Sequence, residues 1–488
     1  MLPRVFGIET EFGCLVRNPA CGRAENIVEA VKDHVFLQAR LGLIDLHARD
    51  YSFEPAGCGG FLINGARLYV DEVGSHEEYA TPECSSLREL VAHERAGQRI
   101  LQRALEELGL AGVVSFHNNS VDHFAGHTFG CHENYLVALG DRFFREGLPF
   151  LLPFLVTRQI FAGAGRVGGH RIKRPDYGWA GLLRRDAGQL WLTDVYAVEL
   201  DPTVTYQLSQ RADHILHTVS PRVRFNRAII NPKRSMRTSF NDLRRLHLLF
   251  GEGNMSEYAL ALKVGTTCLV LDLVEQNAVG EEVCLRDPLA TLRRVSRDPS
   301  LRWLVERADG STISAVDLQR LYLRRAQRLL QGRDPDTDWI LREWEDVLDG
   351  LERDPMELAD RLDWVAKRRL LELYMAEEGV SWGADILVSL DLEYHNIDPS
   401  RGLYYALQDC GRMRRLVDDE QIELATRLAP QHTRARARSR AVAGLLARGV
   451  RTYVIDWDMV YVDRERRLVL QDPCNPYDQE TTEFQREL

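Results

Sequence analysis

Two carboxylates share one face of the first strand this sequence can form. In Val5 to Phe12 the residues alternate, so Phe6, Ile8, Thr10 and Phe12 point one way and Glu9 and Glu11 the other. Such a strand belongs in a sheet with one face on a core, and its acidic face then meets water or a cation. Gly65 to Asp71 repeats the pattern, with Ala66, Leu68 and Val70 reading as core and Arg67, Tyr69 and Asp71 as the opposite row. His76 and Glu78 share another strand face, and His127 to Val137 offers His132 and Asn134 alternating with Glu133 and Tyr135. One such strand is ordinary, since sheets commonly turn charged side chains to solvent. Several together are not, because like charges crowded on one sheet face repel unless a cation lies between them. Oxygen and imidazole ligands without thiolates favour Mg²⁺ or Mn²⁺ over a structural zinc, and Mg²⁺ usually arrives with substrate phosphates. A nucleotide is therefore expected.

The order of elements is sheet first, helices second, which predicts an α+β fold. From Arg4 to about Gly265 short β-like runs alternate with a few helices, of which Leu87 to Leu108 is the clearest: Leu87, Leu90, Val91, Leu101, Leu105 and Leu108 recur on one face. Ala315 to Leu330, Trp339 to Leu351 and Asp360 to Met375 read as a helical buttress, punctuated by Asp334-Pro335 and Asp354-Pro355. After about Val417 the pattern changes to a helix at Glu420 to Leu428, an Arg-rich helix at Thr433 to Ala447, and β-like runs at Tyr453 to Val462 and Leu468 to Gln471. The division expected is a catalytic domain over residues 1–412 and a small C-terminal α/β domain over 413–488. The arginines at 434, 436, 438 and 440 read as a solvated face rather than a phosphate holder. Arg166 to Asp201, with Trp179 and Trp191, reads as an insertion between two strands.

Composition narrows the function. The 488 residues carry 62 basic and 72 acidic side chains, a net charge of −10, so no global basic footprint points to nucleic acid. Nine cysteines with no C-x-x-C pair suggest neither a disulfide framework nor a thiolate metal site, and fit a reducing cytoplasm. No export leader is expected, because Met1 runs quickly into Glu9 and Glu11, and no membrane span, because the longest apolar run, Leu148 to Val156, is short and broken by Pro149 and Pro153. No Walker loop, dinucleotide fingerprint or kinase motif is present, so phosphates would rest on metals and on arginines such as Arg158, Arg211 and Arg227. Ser209-Gln210-Arg211 and Asn231 sit at the ends of strand-like runs, as at the rim of a site. There is no G-x-S-x-G elbow, and Cys131 beside His132 reads as a buried strand cysteine.

The runs GIETEFG at Gly7 to Gly13, NGARLYVD at Asn64 to Asp71 and GSHEEYATPE at Gly74 to Glu83 resemble the Pup ligase and Pup deamidase (depupylase) family. The likeness continues through GCHENYLV at Gly130 to Val137, VTRQIFAGAGRVG at Val156 to Gly168, SQRADH at Ser209 to His214, RRLHLLFGEGNMSE at Arg244 to Glu257 and LKVGTTCLVLDL at Leu262 to Leu273. It implies a glutamine-synthetase-like fold: a curved antiparallel sheet cradling ATP and Mg²⁺, helices behind it, and a small C-terminal domain closing one end. The substrate implied is a small disordered modifier, Pup, acted on at the side chain of its last residue, with lysine-bearing proteins as the other partner. The ligase phosphorylates a terminal Glu and passes it to a lysine amine; the deamidase converts a terminal Gln to Glu and cuts the tag from lysine. Carried over, the resemblance makes Asp71 the catalytic carboxylate, as base or as nucleophile. It makes Glu9, Tyr69 and Glu78 metal and phosphate contacts, Glu133 a further metal ligand, and Glu11, Asn119, His132 and Arg211 nucleotide-binding residues, to which Arg227 is added from its place near a strand-like segment.

Two departures stand out. Where the family has a T-R-D-E-P-H-A type stretch this chain reads PKRSMRTSF from Pro232 to Phe240, so that Lys233, Arg234 and Arg237 substitute as phosphate ligands or nucleotide use is altered. The Arg166 to Asp201 insertion is the other. TRARAR and IDWDMV lean to the ligase; SRDPSLR, LERDPM, LDWVAKRRLL, GRMRRLV and the Leu41 to Gly60 segment, which resembles a shortened form of the loop marking the deamidase, lean the other way. The depupylase is thus the first expectation and the ligase its alternative. A small-molecule carboxylate-amine ligase and an inactive tag-binding relative are further alternatives.

Overall fold

The computed structural model describes residues 4–48, 54–71, 75–123, 126–138, 142–173, 197–220, 227–232 and 243–488. One ten-stranded sheet organises it. Its strands are β1 (Phe6–Val16), β2 (Gly42–Ile44), β3 (Gly59–Leu62), β4 (Arg67–Val70), β5 (His76–Ala80), β6 (Val114–His117) and β7 (Cys131–Val137), joined by three later ones. Two short ribbons intervene in the chain, in which β8 (Arg166–Val167) pairs with β11 (Tyr206–Gln207) and β9 (His170–Lys173) with β10 (Ala197–Leu200). The remaining strands of the large sheet are β12 (His217–Val219), β13 (Ala228–Asn231) and β14 (Arg244–Leu248). Across the sheet the order is β12-β13-β14-β7-β1-β5-β4-β3-β2, with β6 also on β1, and every pairing except β12 with β13 is antiparallel.

β1 is the hub because it is long enough to be shared. Phe6 to Thr10 pair with β7, Glu9 to Gly13 with β5, and Gly13 to Val16 with β6. Its even residues up to Phe12 are buried: Phe6 and Ile8 enter the largest core, Phe12 a second one, and the Thr10 hydroxyl donates to Glu94 Oε1 at 3.0 Å. Glu94 belongs to the helix Leu87–Glu107, whose N-terminus is capped by Ser86. The expected amphipathic helix therefore covers one face of the sheet, with the buried helix Glu257–Glu275 packed beside it, and the odd residues of β1 are left to line the other face.

The helical region follows the expected pattern with shifted bounds: the helix expected at Asp360 to Met375 runs Asp363–Glu378, and that expected at Glu420 to Leu428 runs Asp419–Ala425. Ala315–Leu330 is as predicted. The next helix runs Pro335–Arg353 because Asp334 caps it and Pro335 fills its first turn, so residues read as punctuation start the helix. The run Tyr453 to Val462 is two strands, Val454–Asp456 and Met459–Tyr461, joined at Trp457-Asp458 and extended by Arg467–Val469. This small sheet and the helix Arg434–Arg448 share a core with Leu43 and Phe61 from the edge of the large sheet. The Arg-rich helix corrects the expectation of a solvated face. Arg436 and Arg440 are half-exposed and pair with Asp478, whereas Arg434 and Arg438 are buried against Glu83, and Arg438 stacks 4.7 Å from the Trp457 ring centroid. The insertion from 174 to 196, with both its tryptophans, and the divergent stretch from 233 to 240 lie outside the described residues. No described helix is long and apolar enough to cross a membrane.

Candidate active site

Register decides which side chains meet on the open face. Glu11 stands opposite Glu78, Tyr69 opposite Glu78 on the other side, and Glu9 opposite His132. Directly paired residues project to the same face, so the sheet carries a row running Tyr69, Glu78, Glu11, Glu9 and His132. Asp71 follows β4 at the edge of that row; its amide donates to His76 O at 3.0 Å, and its carboxylate lies 3.8 Å from His76 Nδ1. β14 adds His247, whose Nε2 is 3.5 Å from Glu9 Oε2, and Arg245, 3.8 Å from Glu9 Oε1. On the near side His132 Nδ1 is 3.4 Å from Glu9 Oε2 and Asn134 Nδ2 donates to Glu9 Oε1 at 2.9 Å.

Glu9, Glu11, Tyr69, Asp71, Glu78 and His132 are thus brought together as the sequence predicted. Asn119 is close by: a β-carbon on Gly13, itself on the open face, would lie 3.7 Å from Asn119 Oδ1. Gly130 has no room for a side chain, since its β-carbon would stand 2.6 Å from Glu11 Oε1, and its amide instead donates to Glu11 Oε2 at 2.6 Å. Arg211 is buried with one guanidinium nitrogen on Leu249 O; burial lowers its pKa, with Glu11 foremost among the acids that oppose the shift. Arg227 ends a buried chain in which Arg166 Nη2 meets His170, His170 meets His214, and His214 Nδ1 lies 2.7 Å from Arg227 Nη1.

Glu133 is a correction. As the neighbour of His132 in a strand it projects to the opposite face, where it is fully buried and holds Arg158 in an ion pair, with Tyr135 donating to it at 2.5 Å. It is a core residue, and Arg158 is its counter-ion rather than a phosphate ligand. His247 and Arg245 are the residues the sequence reading missed. The alternation of Arg245, His247 and Leu249 with Leu246 and Leu248 was their signal.

The charges suit a cation. Burial raises the Glu78 pKa, and Glu11, Glu9 and Asp71 raise it further, so that it stands well above the ordinary carboxylate value. Tyr69 is likewise pushed up by burial and by Glu78 and Glu9. Burial would also raise Glu9, but His132, His247 and Arg245 together hold it well below its ordinary value. His247 is pushed down to about 4 by burial, which keeps its imidazole neutral and able to ligate. Ligand atoms of Glu9, His132 and His247 all lie within 4.8 Å of one another. Ligands bonded at about 2.1 Å to one ion sit roughly 3 Å apart, close to the 3.4 and 3.5 Å separations found here.

A cavity of about 260 Å³ opens next to Glu9, walled by Gly7, Ala80, Thr81 and Leu136 of the sheet side and by Trp457 and Pro473 from the C-terminal part. Apolar surface predominates in its lining, while Glu9, Glu83, Arg245, Arg434, Asp456 and Asp458 bring charge to its walls, the mixed character of a small-molecule site.

The family model for Pup-ligase protein matches residues 4–461. The Pup–protein ligase of Actinosynnema mirum is 36% identical over 493 residues, covering 98% of each chain, and that of Kineococcus radiotolerans is 36% identical over 488 residues, covering 97% of each. Among solved structures, the ligase PafA in complex with the ubiquitin-like protein Pup superposes with a TM-score of 0.79 at 30% identity, over 99% of this chain and 91% of that one. PafA in complex with ADP gives 0.74 at 32% identity over 88% and 90%.

Proposed function

The chain belongs to the Pup-ligase family, and from that premise we propose that it is an ATP- and Mg²⁺-dependent ligase joining the terminal Glu of a Pup-like modifier to a lysine of a substrate protein. The row of acids that ends in Asp71, beside a cavity walled by Trp457, is the observation that carries this reading. The base would enter the cavity, and its phosphates would run along β1 from Glu9 toward Glu11 and Gly13. Glu9 with His132 and His247, and Glu78 with Tyr69 beside them, would hold Mg²⁺, which when bound offsets the phosphate charge. His132, Glu11, Asn119 and Arg211 would line the same path. A side-chain carboxylate oxygen of the modifier's terminal Glu takes the γ-phosphoryl group and ADP leaves; the lysine amine then attacks the side-chain acyl carbon and phosphate departs. Asp71, the acid at the edge of the row, accepts the amine proton. The low-dielectric floor built by β1, β5 and β7 orients these groups before charge develops.

The depupylase expectation gives way to its alternative. The curated relatives that support the ligase align with the chain almost end to end. The segment from 41 to 60 that favoured the depupylase supplies edge strand β2 and the start of β3 in the large sheet, and residues 49–53 between them lie outside the described residues. Incubation with ATP, Mg²⁺, a Glu-ended tag and a lysine-bearing protein should give a conjugate, and a Gln-ended tag should stay unchanged. Conversion of Gln to Glu with no conjugate formed would return the reading to the depupylase.

A further inference from the structure

Asn231 ends β13 and stands opposite His247 of β14. Such partners project from the same face with their β-carbons about 5 Å apart, so the carboxamide lies beside the imidazole on the side that carries Glu9 and His132. Both side chains are sealed from solvent, Asn231 with none of its surface exposed and His247 with 6%. Among the described residues, neither amide atom of Asn231 and neither ring nitrogen of His247 makes a hydrogen bond. Leaving a buried polar atom unpaired is costly, so four of them side by side form a pair held ready for something that binds. His247 turns Nε2 toward Glu9, at 3.5 Å, which leaves Nδ1 to be satisfied elsewhere.

An imidazole that ligates a cation through one nitrogen carries its proton on the other, and that N–H is normally donated to a carbonyl or carboxylate that fixes the tautomer and the ring plane. We propose that Asn231 is this positioning residue: with a divalent cation on Glu9, His132 and His247 Nε2, the His247 Nδ1–H donates to Asn231 Oδ1. Binding then satisfies three of the four unpaired atoms in one event. The inference rests on the cation reading above and adds to it the residue that orients one ligand.

The test uses the full chain stripped of metal, with Mn²⁺ alone as probe, read by titration calorimetry and by the spin resonance of free Mn²⁺. Asn231→Leu keeps the shape and removes the acceptor; it should weaken Mn²⁺ binding roughly 10- to 100-fold while the metal-free protein melts at or above the wild-type temperature. Asn231→Asp keeps an acceptor and should bind as the wild type or tighter. Wild-type Mn²⁺ affinity in Asn231→Leu, alongside a loss in Glu9→Gln, would overturn the inference and leave the cation site standing. A lowered melting temperature in both Asn231 variants with Mn²⁺ affinity unchanged would assign the residue to structure and equally overturn it. Wild-type protein that binds Mn²⁺ no better than Glu9→Gln would end the cation reading and this inference with it.

Discussion

Glu83 is the acid whose loss should be felt furthest from its own position. It follows β5 and the Thr81 wall of the cavity, and it pairs with Arg434 and Arg438, side chains that expose 10% and 0% of their surface. Burial alone would raise its pKa, yet Arg438 and Arg434 bring it from 4.5 down to about 2. At about 1.4 kcal/mol per decade this is roughly 3 kcal/mol favouring the charged form, and removing one partner of a buried ion pair costs about 3–5 kcal/mol by mutational experience. Glu83→Gln should therefore lower the opening free energy of the helix Arg434–Arg448 by about 3 kcal/mol, which is roughly a hundredfold in amide exchange. Exchange read by mass spectrometry should rise in that helix and in the hairpin Val454–Tyr461, and stay unchanged in the helix Glu257–Glu275. A carboxylate with a depressed pKa contributes stability above its ordinary value of 4.5 and loses it as pH falls toward about 2. Wild type and variant should thus differ most in thermal unfolding near neutrality and converge only as pH falls to about 2. Exchange in Arg434–Arg448 within a factor of about three of wild type would refute the reasoning.

Glu78 has the opposite sign. The folded protein keeps its proton above the ordinary value of 4.5, so stability from this group is intact below that pH and declines as pH rises; in EDTA, Glu78→Gln should gain on the wild type in melting temperature from about pH 5 to pH 8, and Mg²⁺ should remove the advantage. Asp71→Asn should lower the rate of conjugation about 10²- to 10⁴-fold with nucleotide affinity little changed, as expected of a proton acceptor, and an equal loss in nucleotide binding would move Asp71 into the binding set. Glu133→Gln should destabilise the fold by about 3 kcal/mol or more by stranding Arg158, with Mn²⁺ affinity as in the wild type; a loss of Mn²⁺ affinity without destabilisation would restore Glu133 to the metal.

The acidic face was legible because strand alternation is a local property. Glu9 with Glu11, and Tyr69 with Asp71, need only a period of two, and β1 and β4 keep it. The same rule separates Glu133 from His132, although the two are adjacent in the run GCHENYLV that resembles the family. His247 was missed although β14 alternates as cleanly, since nothing near it in the chain says that β14 lies next to β7. The partnership of Glu83 with Arg434 and Arg438 spans most of the sequence, so the arginines looked like a wet face until the fold put an acid beneath them. The turn at Trp457-Asp458 has none of the Gly or Asn chemistry that announces a tight hairpin, and one strand was read where two exist.

The position of β1 also bears on how the molecule is made. Glu9 leaves the ribosome well before its neighbour His132, which belongs to a strand made much later, and before His247, made later still. Until β5, β6 and β7 have been translated, the nascent chain carries an eleven-residue strand with both edges unpaired and its apolar side uncovered, the kind of segment that invites association between chains. Native contacts this distant in sequence favour slow folding, so a polysome stalled before residue 131 should hold its N-terminal segment in a chaperone-bound, protease-sensitive form. Shelter during synthesis, as much as any later step, then sets how much catalyst a cell obtains.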